Sequence, residues 1–189
     1  MNIPIEIDLR GDRSSGDGKI ILCGLCTIEN IKCMLIKCNG VAKVKDYKKA
    51  YRCMEFADKF RLPIVSFVNT QGAYPLEAGI SYTIAQNLKL ISRLKVPMVS
   101  IITKYAYSGG AIALLSQKHV AMLSDAKYSV ISPKGACGVL KSRGYDAEVE
   151  KALKVSAIDN LRLGTIDQIL DDENEVIKYI VDCINSESN

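Results

Sequence analysis

The chain has 189 residues, 48% of them hydrophobic and 24% charged. That is one domain's worth of sequence, able to bury roughly 70% of its unfolded surface without disulfides or a structural metal, and the composition excludes disordered, collagen-like and coiled-coil classes. Lys and Arg total 25 against 21 Asp and Glu, a net charge of +4 with no tryptophan; this mild, dispersed excess suits acidic small molecules or an acidic partner surface and does not point to nucleic acid.

The opening segment, Met1 to Asp8, lacks the basic-then-apolar layout of a signal peptide. No apolar run approaches the roughly 20 residues that span a bilayer, so the expected location is cytoplasmic, with no membrane partner. Lys19 to Ile28 and Ile31 to Lys37 read as two strands joined at Glu29-Asn30, a two-residue hairpin turn. This hairpin carries three of the seven cysteines, including Cys23-Gly-Leu-Cys26, with Cys38 directly after it. Side chains three apart on a strand point to opposite faces, so Cys23 and Cys26 do not converge on one metal. The register instead sets Cys26 opposite Cys33, two small buried hydrophobes. An odd cysteine count without an export signal argues against a disulfide framework.

Val41 to Phe60 carries a helical stripe of Tyr47, Ala50, Tyr51, Met54, Ala57 and Phe60, with Asp46 expected at its N-cap. Ile64 to Val68 reads as a buried strand, and Asn69 to Pro75 as a turn. A helix follows from about Gly79 to Lys95. Pro97 opens a strand over Met98 to Ile102; after Thr103 to Tyr107 comes a second glycine turn, Ser108-Gly109-Gly110-Ala111, leading to a helix over Ile112 to Leu115. Two short strands, Val120 to Leu123 and Tyr128 to Ser132, precede a mostly helical tail with a strand near Thr165 to Leu170 and a last helix over Glu173 to Asn185. Gly164 sits where a helix C-cap glycine belongs. Alternating strands and helices with continuous apolar strands predict an α/β domain with a largely parallel sheet, one domain over residues 1–189.

In such folds ligands gather at the carboxyl ends of the strands. Both glycine turns fall there: Gln71-Gly72-Ala73-Tyr74-Pro75 and Tyr107-Ser108-Gly109-Gly110-Ala111. Glycines let backbone approach a ligand closely, and N–H groups at a helix start favour an anionic oxygen. Two such turns can offer N–H donors to one developing oxyanion, each worth roughly 3 kcal/mol; two tight turns in a packed fold are the alternative. Side-chain chemistry is sparse. The single histidine, His119, opens a strand, and there is no Walker lysine motif, GxGxxG or zinc-ribbon spacing.

Gly11-Asp12-Arg13, Thr70-Gln71-Gly72-Ala73-Tyr74-Pro75, Ser108-Gly109-Gly110-Ala111 and Tyr128-Ser129-Val130-Ile131-Ser132-Pro133-Lys134-Gly135 together resemble the carboxyltransferase α-subunit family of bacterial acetyl-CoA carboxylase. Tyr47-Lys48-Lys49-Ala50, Ser81 to Pro97 and Leu161 to Asp167 are similar to further segments of that family, in order, from about residue 8 to residue 170. The resemblance implies the crotonase-like fold, a spiral of ββα units with C-terminal helices. It implies transfer of carboxylate from carboxybiotin, on a separate carrier protein, to acetyl-CoA, giving malonyl-CoA. A zinc-ribbon β subunit is the implied partner and holds the CoA thioester; an oligomer is expected, and no metal in this chain. The backbone of Gly109 and Gly110 is the implied oxyanion hole, with Gly72 and Ala73 facing it. Tyr74, Tyr107, Ser108 and Gly135 are the implied substrate contacts; Lys134 joins them as a candidate cation for a CoA phosphate, with a solvated surface lysine as the alternative. Arg13 and Asp17 are expected to cap or pair within a loop.

The chain departs from that pattern at Lys104-Tyr105-Ala106-Tyr107, where the family is glycine-rich, after Pro75, where it is shorter, and at Lys134, where the family has glutamate. Two tyrosines in place of glycines narrow a pocket. Three other readings follow: a decarboxylase subunit of the same fold, a scaffold or regulatory subunit without catalysis, and a serine peptidase with Ser108 as nucleophile and His119, Lys104 or Lys134 as its base.

Overall fold

A computed structural model describes residues 3–11, 14–141 and 147–187. The hairpin forms as the alternation predicts. β2 (Ile21–Ile28) pairs antiparallel with β3 (Ile31–Asn39), Cys26 standing opposite Cys33, and β1 (Ile7–Asp8) adds to the outer edge of β2. From β3 onward the sheet is parallel: β4 (Ile64–Thr70), β5 (Met98–Tyr107), β6 (His119–Leu123) and β8 (Gln168–Leu170) follow in that order, while β7 (Lys127–Ser129) pairs with the far end of β5.

Both faces of this sheet are covered, which is why its strands are apolar on both sides. On one face α1 (Val44–Phe60), α2 (Ile80–Ile91) and α3 (Ser108–Ile112) pack over Met34, Ile36, Ile64, Val68 and Ile102. On the other, α7 (Glu173–Glu187) lays Val176, Tyr179, Ile180 and Ile184 over Leu35, Val65, Val99 and Ile101. Cys23 belongs to the first core and Cys26 to the second, so the CxxC is split between the two faces. Three short helices, α4 (Pro133–Val139), α5 (Ala147–Leu153) and α6 (Ala157–Leu163), complete the layout, and α6 ends at Gly164 in the left-handed region.

Several boundaries differ from the sequence reading. Helix α1 starts at Val44, with Lys43 as its N-cap and Asp46 three residues further in. Asp46 reaches back instead: its Oδ2 accepts from the Lys43 N–H at 2.9 Å, and its Oδ1 accepts from Ile20 at 2.9 Å and Ile21 at 3.2 Å. One buried carboxylate thus ties the start of β2 to the start of α1. Helix α2 stops at Ile91, and the Lys95 N–H turns to Asp58 Oδ1 at 2.7 Å. The strand expected to end at Ile102 runs on through Tyr107, because β7 supplies ladder partners at Tyr105, Ala106 and Tyr107. Consequently α3 starts at Ser108, ahead of the apolar run expected to be helical.

A candidate oxyanion site at two abutting turns

Strands β4 and β5 run side by side in parallel, and after a register shift near Val68 to Thr70 their ends emerge together, with Thr70 opposite Ala106. The two glycine turns therefore leave the sheet as neighbours. In the first, Gly72 sits at φ 116°, a conformation glycine reaches at little cost. Its N–H is taken by Thr70 Oγ1 at 3.0 Å, so its part is to shape the turn and not to donate. Ala73 forms a parallel bridge with Ala42, and the Tyr74 N–H reaches the Ala42 carbonyl at 2.8 Å, fixing this turn to the segment that enters α1.

In the second turn the chain passes from β5 into α3 at Ser108, whose φ is 64°. A serine held in the left-handed region at a sharp strand-to-helix turn stores local strain. Gly110 is packed directly onto the first turn. A Cβ on it would lie 2.5 Å from the Ala73 nitrogen, 2.5 Å from the Tyr47 hydroxyl oxygen and 2.9 Å from the Gly72 carbonyl carbon. Gly109 is different, since a Cβ there meets only Ile84 Cγ2 at 3.6 Å. Gly110 is buried, Gly109 half-buried and Ser108 exposed, so the turn presents its outer backbone to solvent. The N–H groups of Gly109 and Gly110 have no partner within α3, because the first residues of any helix lack an acceptor one turn back. At five residues α3 carries little macrodipole, and individual peptide N–H groups are what this site has to offer an anion.

Gly72, Ala73, Ser108 and Gly110 thus meet, as the sequence reading expects, and Gly109 lies beside them. Others of the expected set stand apart. Tyr74 is 40% exposed, with the Lys43 ammonium 5.3 Å from its ring centroid. Tyr107 is buried, its ring stacked on that of Tyr105 at 5.9 Å between centroids. Burial, then Glu150 and Tyr105, push its phenol up to about 12. Lys134 is exposed on α4, and the Gly135 N–H is spent on the capping Ser132 Oγ at 3.1 Å, which removes it as a donor. Asp12 and Arg13 lie outside the described residues. Asp17 pairs with Lys49, whose ammonium donates to it at 2.8 Å and also to the Gly18 carbonyl.

His119 is no base for Ser108. It stands beside Val99 at the start of β5, nine residues from Ser108 along an extended strand, about 30 Å. Its Nε2 is 2.9 Å from Glu187 Oε1. Lys104 holds its ammonium 5.6 Å from the Tyr105 ring centroid.

Sequence reasoning missed three residues that build the site: Ala42, Thr70 and Tyr47. The signal for Tyr47 is its place on the apolar stripe of α1, since a buried phenol needs a hydrogen-bond partner. Its hydroxyl donates to the Gly110 carbonyl at 3.0 Å. Burial, with Cys38 and Asp46 adding to it, holds the Tyr47 phenol far above its ordinary range, so it keeps its proton and remains a donor.

Residues 5–179 match the model of the acetyl co-enzyme A carboxylase carboxyltransferase-like family. The chain is 37% identical over 182 residues to the acetyl-coenzyme A carboxylase carboxyl transferase subunit alpha of Shouchella clausii, covering 87% of this chain and 56% of that protein. It is 39% identical over 184 residues to the subunit of the same name from Fusobacterium nucleatum, covering 88% and 59%. It therefore spans a little under three-fifths of these relatives. Among solved structures it is similar to transcarboxylase 12S, with a TM-score of 0.79 at 18% identity over 89% of this chain and 36% of that one. The beta subunit of P. aeruginosa geranyl-CoA carboxylase gives 0.77 at 17% identity, covering 89% and 37%. These neighbours share the crotonase-like fold. Among the described residues no helix is long and apolar enough to cross a membrane.

Proposed function

Because the chain belongs to the acetyl co-enzyme A carboxylase carboxyltransferase-like family, we propose that it is the α-type half of a carboxyltransferase acting in the cytoplasm, its 189 residues forming one domain. In this reading the carboxyl group is supplied by biotin on a separate carrier protein, and the acceptor is acetyl-CoA held by a zinc-ribbon β-type partner. The observation that carries the reading is the abutment of the two turns, with Gly110 pressed against Gly72 and Ala73 and the backbone of Gly109 left approachable. That open backbone fits a ligand oxygen, since among the described residues outside its own helix a Cβ there would meet Ile84 alone.

Carboxyl transfer of this kind develops negative charge on a ureido or thioester oxygen. The chain's own part is electrostatic: N–H groups of Gly109 and Gly110, fixed before the reaction, stabilise that charge without a titrating side chain. Ser108 shapes the turn and keeps its hydroxyl outside the chemistry. In this reading Lys134, exposed on the first turn of α4, offers its ammonium to a phosphate of the incoming thioester.

The test is carboxyl transfer from malonyl-CoA to biocytin, by the chain alone and with a zinc-ribbon β subunit co-expressed from the same source. Activity only in the pair supports an α-type half. A stable but inactive pair supports the second reading, a scaffold subunit, in which the stacked Tyr105 and Tyr107 stand where the family is glycine-rich. Glycine at both positions would then restore activity. The absence of both activity and a complex would overturn the reading.

A further inference from the structure

Helix α3 is too short to satisfy its own backbone. The Ala113 N–H bonds to the Gly109 carbonyl at 3.0 Å, that of Leu114 to Ala111 at 2.9 Å and that of Leu115 to Ile112 at 3.1 Å. This ladder steps over the carbonyl of Gly110. A buried carbonyl without a donor is costly, and the donor comes from elsewhere in the fold: the Tyr47 hydroxyl, 63 residues earlier in the chain. Tyr47 is fully buried in the first turns of α1, the end of the helix that Asp46 locks to Ile20 and Ile21.

We infer that Tyr47 is a positioning residue for the oxyanion donors of the Gly109-Gly110 turn, an inference that rests on the carboxyltransferase reading. Two consecutive glycines have no side chains to hold their peptide planes. Gly110 is held from two sides instead. Ala73 and Gly72 wall in its Cα, and the Tyr47 hydroxyl fixes its carbonyl. Because the peptide unit is planar, fixing that carbonyl fixes the plane that joins Gly110 to Ala111, and with it the direction from which the turn departs. Donors aimed in advance cost no reorganisation during the reaction; a misplacement of about 1 Å is worth a hundredfold in rate.

A purely structural hydroxyl would lower stability and leave the folded enzyme's turnover alone, so the test separates the two. Tyr47→Phe is assayed in the complex with the co-expressed zinc-ribbon partner, by transfer from malonyl-CoA to biocytin, at a temperature where circular dichroism shows it folded. The control is Ser66→Ala, which removes a comparably buried hydroxyl that donates to the Leu114 carbonyl at 2.8 Å, beyond the turn. The expected result is a fall in kcat of about 10–100-fold for Tyr47→Phe, with KM for malonyl-CoA within about twofold. Ser66→Ala should keep kcat within about twofold, and 3-fluorotyrosine at position 47, which retains the donor, should keep wild-type kcat within about threefold. Wild-type kcat in Tyr47→Phe, or an equal loss in Ser66→Ala, overturns the inference. If the wild-type pair is inactive, the carboxyltransferase reading fails on its own, and amide hydrogen exchange decides the positioning. Exchange at Gly109, Gly110 and Ala111 about tenfold faster in Tyr47→Phe but not in Ser66→Ala upholds it; unchanged exchange refutes it.

Discussion

Alanine in place of each glycine of the two turns should separate packing from conformation, because the three positions differ in kind. At Gly110 the new methyl would sit 2.5 Å from the Ala73 nitrogen and 2.9 Å from the Gly72 carbonyl carbon, about 1 Å inside an ordinary van der Waals contact. Two of the obstructing atoms are backbone, so no side-chain rotation relieves the overlap and the turns must move apart. Overpacking of this kind costs about 2–3 kcal/mol, enough to lower the melting temperature by roughly 4–12 °C for a chain of this size. Gly72→Ala meets its nearest neighbours at an unstrained 3.5 Å but must hold φ 116°, a conformational cost of about 1–2 kcal/mol. Gly109→Ala meets only Ile84 Cγ2 at 3.6 Å, with no positive φ, and should change stability by less than about 0.5 kcal/mol. Urea unfolding of the three variants, read at constant m-value, measures the order directly. Gly110→Ala as stable as wild type, or Gly109→Ala the most damaging of the three, would refute the abutment of the turns.

Three further outcomes follow from the packing and the charges. Six of the seven cysteines are buried and Cys183 is half-buried, and burial foremost pushes Cys26 up to about 11 and Cys33 and Cys38 up to about 12; native protein at pH 8 should therefore release colour from a disulfide reagent at one thiol at most, and denatured protein at seven. The hydrogen bond from Lys49, opposed by partial burial and helped by the Gly11 N–H, holds the Asp17 carboxyl below its ordinary value. Its contribution is thus present above the unfolded carboxylate pKa and lost as pH falls through the lower folded value. Asp17→Asn should cost about 1 kcal/mol at pH 7, a modest figure because Asp17 is half-exposed, and should match wild type once the medium is acidic enough to protonate the native carboxyl; an unchanged difference there would contradict the pairing. Asn87 is fully buried in α2, and neither amide atom has a hydrogen-bond partner among the described residues. Asn87→Leu should accordingly be neutral or raise stability by about 1 kcal/mol in thermal unfolding, and a clear loss would show that the amide is satisfied.

The hairpin's register was readable, because a two-residue turn at Glu29-Asn30 sets Cys26 opposite Cys33 and Cys23 on the other face, although its strands begin at Ile21 and end at Asn39 and not at Lys19 and Lys37. The two ligand-facing turns were legible for the same elementary reason, glycines falling at the carboxyl ends of apolar strands. What the sequence did not disclose depends on contacts remote in the chain. The strand over Met98 to Ile102 shows no sign of running on to Tyr107 until β7, some 20 residues later, supplies its ladder partners. Asp46 looks like an N-cap until the start of β2 arrives to use its carboxylate. Gly135 looks like a donor until Ser132 takes its N–H, and Tyr47 looks like one more apolar stripe residue until Gly110 presents its carbonyl. Local pattern sets element type, but which polar groups remain available is decided only when distant segments meet.

The central claim is that backbone donors, and no nucleophilic side chain, carry the chemistry at the second turn. Ser108→Ala in the reconstituted pair tests it most directly, with carboxyl transfer from malonyl-CoA to biocytin as the readout. The account predicts kcat within about threefold of wild type, since the substitution leaves the N–H groups of Gly109 and Gly110 in place. A loss of about a thousandfold or more would mark Ser108 as a nucleophile or essential hydrogen-bond donor and contradict it.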